Sequence, residues 1–175
     1  MPERTVWKDP NGTLQLVRFE PSLFHLFPKG CSMLHDSLSA YPRYLYRLTK
    51  GYHVYVLRDG ADTIGHAVLQ HGPLGRYPFV EAGALLLGPY YIDAARRQNG
   101  YATTLLLHAL QDCKASFRAM YACILLDNTA SIKTVEKIGF IRHGYLDRRG
   151  ARKKLLTEAP GGCGVWRIAL TDTTE

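Results

Sequence analysis

The chain has 175 residues, of which 46% are hydrophobic and 21% charged, ordinary proportions for a globular domain able to bury a sizeable core. Its net charge of +7 favours an anionic ligand without choosing among nucleic acid, an acidic membrane surface and a phosphorylated small molecule. No apolar run approaches the ~20 residues of a bilayer span, and Cys31, Cys113, Cys123 and Cys163 lack metal-ligand spacing, which argues against a zinc site or a disulfide scaffold.

Residues 1–12 are polar and charged and lack the apolar segment of a secretory signal, so the expected location is cytoplasmic and no membrane partner is expected. On that expectation the glycosylation pattern Asn11-Gly12-Thr13 is accidental. Residues 13–19 alternate and predict a first strand. In 21–50, Leu34, Leu38, Tyr41, Leu45 and Leu48 predict one or two amphipathic helices interrupted near Pro42. Residues 52–57 and 64–70, joined by Asp59-Gly60, predict an antiparallel hairpin. Residues 71–78 hold two Gly and two Pro and predict a loop. The apolar run 79–92 predicts a buried strand whose ladder breaks at Gly88-Pro89, since proline cannot donate.

Arg97-Gln98-Asn99-Gly100-Tyr101-Ala102 follows that strand and opens an amphipathic helix over 100–114, with Ala102, Leu106, Ala109 and Cys113 on one stripe widened by Leu105 and Leu110. Unpaired N–H groups and the helix dipole favour an anion at such a start, Gly100 and Ala102 leave room for its approach, and Arg97 can add a two-pronged contact. A buried strand over 121–126 follows, and strand, helix, strand in this order implies a parallel crossover. Asp127-Asn128 offers an N-cap to a helix over 129–138. Gly139 stands at its C′ position, and Phe140 at C″ can pack back on Val135. Strands over 140–146 and 165–170 complete the chain, separated by a loop carrying Arg148, Arg149, Arg152, Lys153 and Lys154. Without repeats, low-complexity segments or a linker, 1–175 reads as a single domain.

Two segments together resemble the GNAT family of acyl-CoA N-acetyltransferases. Residues 91–106 (Tyr-Ile-Asp-Ala-Ala-Arg-Arg-Gln-Asn-Gly-Tyr-Ala-Thr-Thr-Leu-Leu) are similar to its Arg/Gln-x-x-Gly-x-Gly/Ala cofactor motif after a strand. Residues 128–140 (Asn-Thr-Ala-Ser-Ile-Lys-Thr-Val-Glu-Lys-Ile-Gly-Phe) are similar to its Asn-x-x-Ala/Ser…Glu-Lys-x-Gly-Phe segment, in the matching order and separation. The resemblance implies an α/β (α+β) fold: a mixed, mostly antiparallel sheet of six to seven strands flanked by helices, with the fourth and fifth strands splayed around acetyl-CoA. It implies that the backbone of Tyr91 and Ile92 bonds the pantetheine arm. Arg97, Gln98, Asn99, Gly100, Tyr101, Ala102 and Thr103 would hold the pyrophosphate, with Asn128 near the pantetheine. The implied reaction is direct attack of a primary amine on acetyl-CoA in a ternary complex, without a metal or a protein nucleophile.

Such a transfer requires a neutral amine, a donor for the developing oxyanion and a proton for the thiolate. Many members of the family place a Glu on the fourth strand and a Tyr in the second segment. Here 84–88 holds no carboxylate, and the Tyr position is Val135. The replacement candidates are Ser131 as donor to sulfur, Tyr90 or Tyr91 as a hydroxyl, and Glu81 acting through water, each with a plain structural role as the alternative. His66 and His71, flanking the predicted third strand, are further candidates as groups titrating near neutrality, with a structural or exposed histidine as the alternative. The missing pair motivates a second reading, a non-catalytic acyl-CoA-binding module on the same scaffold. No nucleic-acid-binding pattern occurs. The expected acceptor is a small-molecule or peptide amine, acidic or phosphorylated if the basic loop borders its site, and a homodimer is compatible with the reading.

Overall fold

The Val- and Tyr-rich run 52–57 and the run 64–70, buried along most of their length, form a hairpin across the Asp59-Gly60 turn. In the computed structural model, which describes residues 3–31, 40–147, 149–158 and 162–170, β3 (Tyr52–Asp59) pairs antiparallel with β4 (Asp62–His71) from Tyr52↔Gln70 to Asp59↔Asp62. The chain divides into two compact units, Met1–Gln70 with Pro89–Asp112, and His71–Gly88 with Cys113–Glu175.

In the first unit, β1 (Glu3–Lys8) pairs with β2 (Leu14–Phe19), and β2 with β3, all antiparallel. β1 was not expected because its residues are polar and charged. It lies at the sheet edge, where charge is tolerated and discourages further pairing. Its Glu3 accepts both guanidinium Nη groups of Arg58 at 3.0 Å. α1 (Ala40–Lys50) contains Pro42 in its first turn, where no N–H is needed, so proline helps open this helix instead of interrupting it. The expected positions Leu34 and Leu38 lie outside the described residues. Phe19, Tyr44, Tyr52, Val54, Val56 and Val68 form one core cluster with Cys31.

α2 (Tyr101–Cys113) buries Leu105, Leu106, Ala109, Leu110 and Cys113 along the expected stripe. Its last turn is anchored by Asp112, which accepts from Tyr55 Oη at 2.7 Å, Arg18 Nη1 at 2.9 Å and Arg4 Nη2 at 2.8 Å. Burial alone would raise the Asp112 pKa. The hydrogen bonds from Tyr55 and Arg18 and the charges of Arg18 and Arg4 outweigh it and hold the carboxyl below its ordinary range. Asp112→Ala is expected to destabilise the fold by about 3 kcal/mol, because it strands the partly buried Arg18 and Tyr55 donors. The urea midpoint measures this loss, and an unchanged midpoint would remove the anchor role.

In the second unit, β5 (Ala84–Ile92) contributes its first half, followed in strand order by β6 (Ala119–Leu125), β9 (Cys163–Ala169), β7 (Ile141–Asp147) and β8 (Lys154–Leu156). β5 and β6 are parallel, as the strand–helix–strand order requires, and the other pairs are antiparallel. The expected strand over 79–92 begins at Ala84. Before it, Val80 N donates to Tyr77 O at 2.9 Å, Ala84 N donates to Glu81 O at 3.1 Å, and Gly83 has φ +78, so 79–83 is spent on turns. The β5–β6 ladder stops at Leu87↔Ala122, immediately before Gly88-Pro89, where the splay of the expected fourth and fifth strands was placed. Beyond Pro89 the strand belongs to the first unit.

α3 (Thr129–Lys137) is capped by Asn128, whose side-chain oxygen accepts from Ser131 N at 3.1 Å. At its other end Phe140 N donates to Val135 O and Gly139 N to Glu136 O, with Gly139 at φ +100, the Schellman ending the residue types imply. Leu86, Ala119, Tyr121, Leu146, Cys163 and Val165 belong to the core cluster of this unit. The mixed, mostly antiparallel fold class is thus as expected, with β1 and β8 added to the strands read from sequence. Among the described residues no helix is long and apolar enough to cross a membrane.

Candidate functional site

The segment from β5 to α2 is built by local hydrogen bonds. Asp93 N donates to Ile64 O of β4 at 2.9 Å, which fixes the end of β5. Its carboxylate accepts from Ala95 N at 2.9 Å and caps a 3-10 turn, Ala94–Arg96. Asn99 Nδ2 then donates to the carbonyls of Arg96 and Arg97 at 3.2 and 3.1 Å and folds the loop onto itself. Gln98 follows with φ +67, the one non-glycine residue of positive φ among the described residues, and Gly100 with φ +77. A non-glycine residue in this conformation costs about 1 kcal/mol and is found where the surroundings hold it for a purpose.

Backbone of alternating hand turns successive N–H groups toward one point, a concavity suited to an anion. The helix adds to it. Thr104 N is bonded to Gly100 O at 3.0 Å, whereas the N–H groups of Tyr101, Ala102 and Thr103 precede the first helical acceptor. A Cβ on Gly100 would meet nothing within 4 Å, so glycine is required here by φ and leaves open space before the N–H groups. The residues fit a diphosphate. Arg97 is used differently from the two-pronged phosphate contact expected of it. Its Nε donates to Ile92 O at 3.1 Å, and its guanidinium lies 5.3 Å from the Tyr91 ring centroid. Arg97 thus ties the loop back to the end of β5, whose Tyr91 and Ile92 backbone was expected to bond the pantetheine arm.

Close approach of β4 and β5 depends on Gly65, where a Cβ would fall 2.7 Å from Tyr91 O. Next to it, His66 is 4% exposed, and its ring centroid lies 6.2 Å from that of Tyr91. These two residues line both a cavity of about 300 Å³, with Arg43, Tyr44, Arg47 and Tyr90, and a smaller one of about 120 Å³, with Cys31, Thr63 and Asp93. His66 does not titrate near neutrality as expected. Burial pulls it from 6.5 to about 4, so the imidazole is neutral at physiological pH. Burial likewise pushes the Cys31 thiol up to about 12, which makes it a core residue and not a nucleophile.

The other sequence candidates belong to the second unit. Glu81 lies exposed in the turns before β5 and accepts from Tyr121 Oη at 3.1 Å, whose oxygen also accepts from Arg167 Nε at 3.2 Å. The His71 ring lies against that of Phe117, with centroids 4.9 Å apart and the planes tilted by 55°. Ser131 and Asn128 come together at the first turn of α3 through the cap, and Val135, at the expected Tyr position, is fully buried. In the basic loop, Arg148 lies outside the described residues. Arg149 is paired with Asp147 at 3.0 Å, and Lys153 Nζ donates to Gly150 O at 2.8 Å. Among the described residues no group of His, Cys, Asp and Glu could hold a metal ion.

Arg43, Tyr44 and Arg47 were not anticipated. The available signal was the i, i+4 spacing of two arginines around a tyrosine, which sequence alone cannot tell from a solvated helix face.

No curated protein sequence matches the chain. Among solved structures, the ribosomal-protein-S18-alanine N-acetyltransferase from Escherichia coli is similar over 91% of this chain and 97% of its own, with a TM-score of 0.62 and 13% identity. The structure of yncA from Salmonella typhimurium with its cofactor acetyl-CoA is similar over 91% and 96%, with a TM-score of 0.61 and 15% identity. Spermidine N-acetyltransferase from Vibrio cholerae in complex with CoA and spermine is similar over 89% and 95%, with a TM-score of 0.60 and 14% identity. At these identities the likeness is one of fold. Residues 21–140, more than half of the chain, match the family model of the GNAT acetyltransferases. The chain therefore belongs to the acetyltransferase (GNAT) family.

Proposed function

We propose that the chain, acting as one domain over 1–175, is an N-acetyltransferase that moves an acetyl group from acetyl-CoA to a primary amine by direct attack in a ternary complex. The observation that carries this reading is the left-handed turn at Gln98 and Gly100 between β5 and α2. It presents backbone N–H groups to a diphosphate, in a chain of the acetyltransferase family. The structures of yncA with acetyl-CoA and of the Vibrio cholerae enzyme with CoA support the same cofactor class.

In this reading, the N–H groups of 98–103 hold the pyrophosphate, and Arg97 braces the end of β5 through Ile92 O. The backbone of Tyr91 and Ile92 lines the pantetheine path. When bound, acetyl-CoA supplies a thioester carbonyl open to an amine. His66 offers a neutral lone pair to the amine N–H and orients it. A group held near 4 is too weak a base to carry an alkylammonium proton at pH 7, so the amine must lose that proton to solvent before attack.

Incubation with acetyl-CoA and a panel of primary amines, followed by thiol release, tests the reading. Turnover on at least one amine is expected. Tight acetyl-CoA binding with no turnover on any amine would instead make the chain an acyl-CoA-binding module. Ser131→Ala, Tyr91→Phe and Glu81→Gln in the same assay test the proton-transfer candidates, a loss of turnover with acetyl-CoA binding retained marking the residue that serves.

A further inference from the structure

We propose that the acceptor is a small primary amine bearing a carboxylate or phosphate, recognised by Arg43 and Arg47 of α1 at the larger cavity. This rests on the acetyltransferase reading above and specifies its acceptor. The cavity, about 300 Å³, is at the small end of the range for small-molecule sites, which suits an acceptor of metabolite size. Two arginines line it, and no acidic residue is among the described residues that do. His66, on the same wall, is buried and neutral and does not change that balance. The remaining wall is aromatic, from Tyr44, Tyr90 and Tyr91.

Two positive charges four residues apart on one helix repel each other mildly. A bound oxyanion relieves that repulsion, and guanidinium planes match carboxylate and phosphate oxygens in pairs. Arg47 is partly ordered already, its guanidinium 4.6 Å from the ring centroid of Tyr44, which is itself 4% exposed. Little side-chain freedom then remains to be lost on binding. The lining comes from three elements: Arg43, Tyr44 and Arg47 from α1, His66 from β4, and Tyr90 and Tyr91 from β5, the strand that leads into the proposed phosphate cradle.

The test uses the full chain and matched amines: 4-aminobutyrate against butylamine, phosphoethanolamine against ethanolamine, and glucosamine 6-phosphate against glucosamine. Thiol release gives KM for acceptor and for acetyl-CoA, and calorimetry with CoA present gives acceptor binding independently of turnover. At least one anionic amine is expected to bind tenfold or more tighter than its neutral partner, and the carboxylate and phosphate arms identify which anion is read. Arg47→Ala and Arg43→Ala are expected to remove that preference, Arg47→Lys to keep part of it, and all three to leave acetyl-CoA affinity within twofold. Equal binding of anionic and neutral partners by wild type would overturn the proposal while leaving the acetyltransferase reading intact. Loss of acetyl-CoA affinity in the arginine variants would also overturn it, since the arginines would then serve the cofactor. Failure of wild type to bind acetyl-CoA would instead sink the acetyltransferase reading. The acceptor titrations, repeated without CoA, would still decide whether the arginines read an anion.

Discussion

Gly100→Val is expected to lower the affinity for acetyl-CoA by a hundredfold or more, with only a modest loss of stability. At φ +77 a β-branched side chain is strained, and relieving that strain turns the loop backbone away from the conformation that presents the N–H groups of 98–103. The new side chain also enters space that is open in the native loop, since a Cβ at this position meets nothing within 4 Å. The folding penalty should be about 1–2 kcal/mol, the scale of a left-handed non-glycine residue, whereas the binding penalty combines lost donors with a blocked approach. Gln98→Gly is the informative partner. It allows the same φ without strain, so it should fold as well as wild type and bind acetyl-CoA nearly as tightly. Calorimetric titration of both variants with acetyl-CoA, beside thermal melts, separates the two effects. Unchanged affinity in Gly100→Val would remove the cradle from the cofactor site.

Acidification from pH 6.5 to pH 4 is expected to cost about 3 kcal/mol of stability through His66 alone. Its pKa is about 4 in the folded chain and 6.5 as the ordinary value, so between these limits the unfolded chain binds a proton that the folded chain does not. Stability therefore rises with pH across this window and falls as pH drops through it. Asp112 acts with the same sign in a lower window, because its carboxyl is held below the ordinary 3.8 and its contribution is lost only as pH falls further. Urea titrations at half-unit steps should show the slope in wild type and a shallower one in His66→Gln, with the difference confined to pH 4–6.5. Parallel slopes would mean that His66 is not held neutral. On the catalytic side, kcat/KM should rise with pH along the ionisation of the acceptor amine, with no inflection near 6.5 from His66. His66→Ala should lower kcat more than it raises KM for acetyl-CoA.

What could be read from the sequence follows from how local each device is. The Asn128 cap and the Gly139-Phe140 ending need only a few neighbouring residues, and both stand in the structure as their residue types imply. The ladder break at Gly88-Pro89 is similar, because proline cannot donate wherever it sits. The stripe on α2 was legible from its period. Where several local signals compete, the reading drifted. Apolar character over 79–83 suggested strand, but paired turns and the positive φ of Gly83 consume those residues. Pro42 suggested a break, but its effect depends on which turn of the helix it occupies.

The turn proposed to hold the diphosphate was visible in sequence because its parts are consecutive: a strand end, a loop with Gly100 and a helix start. The left-handed Gln98 was not visible, since nothing in its side chain demands that conformation and the Asn99 bonds to Arg96 and Arg97 carbonyls help impose it. By itself, then, the sequence determined the family, the order of its central elements and the tight turn between β5 and α2, all of which rest on contacts within a few residues or on repeating periods. Only the tertiary structure brought together the residues of the proposed acceptor cavity. Arg43 and Arg47 come from α1, His66 from β4 and Tyr91 from β5, segments that are far apart in the chain and share a cavity only after the strands pair. Burial, which makes His66 a neutral group, is likewise a property of the packed molecule, because desolvation depends on neighbours that the chain order does not name.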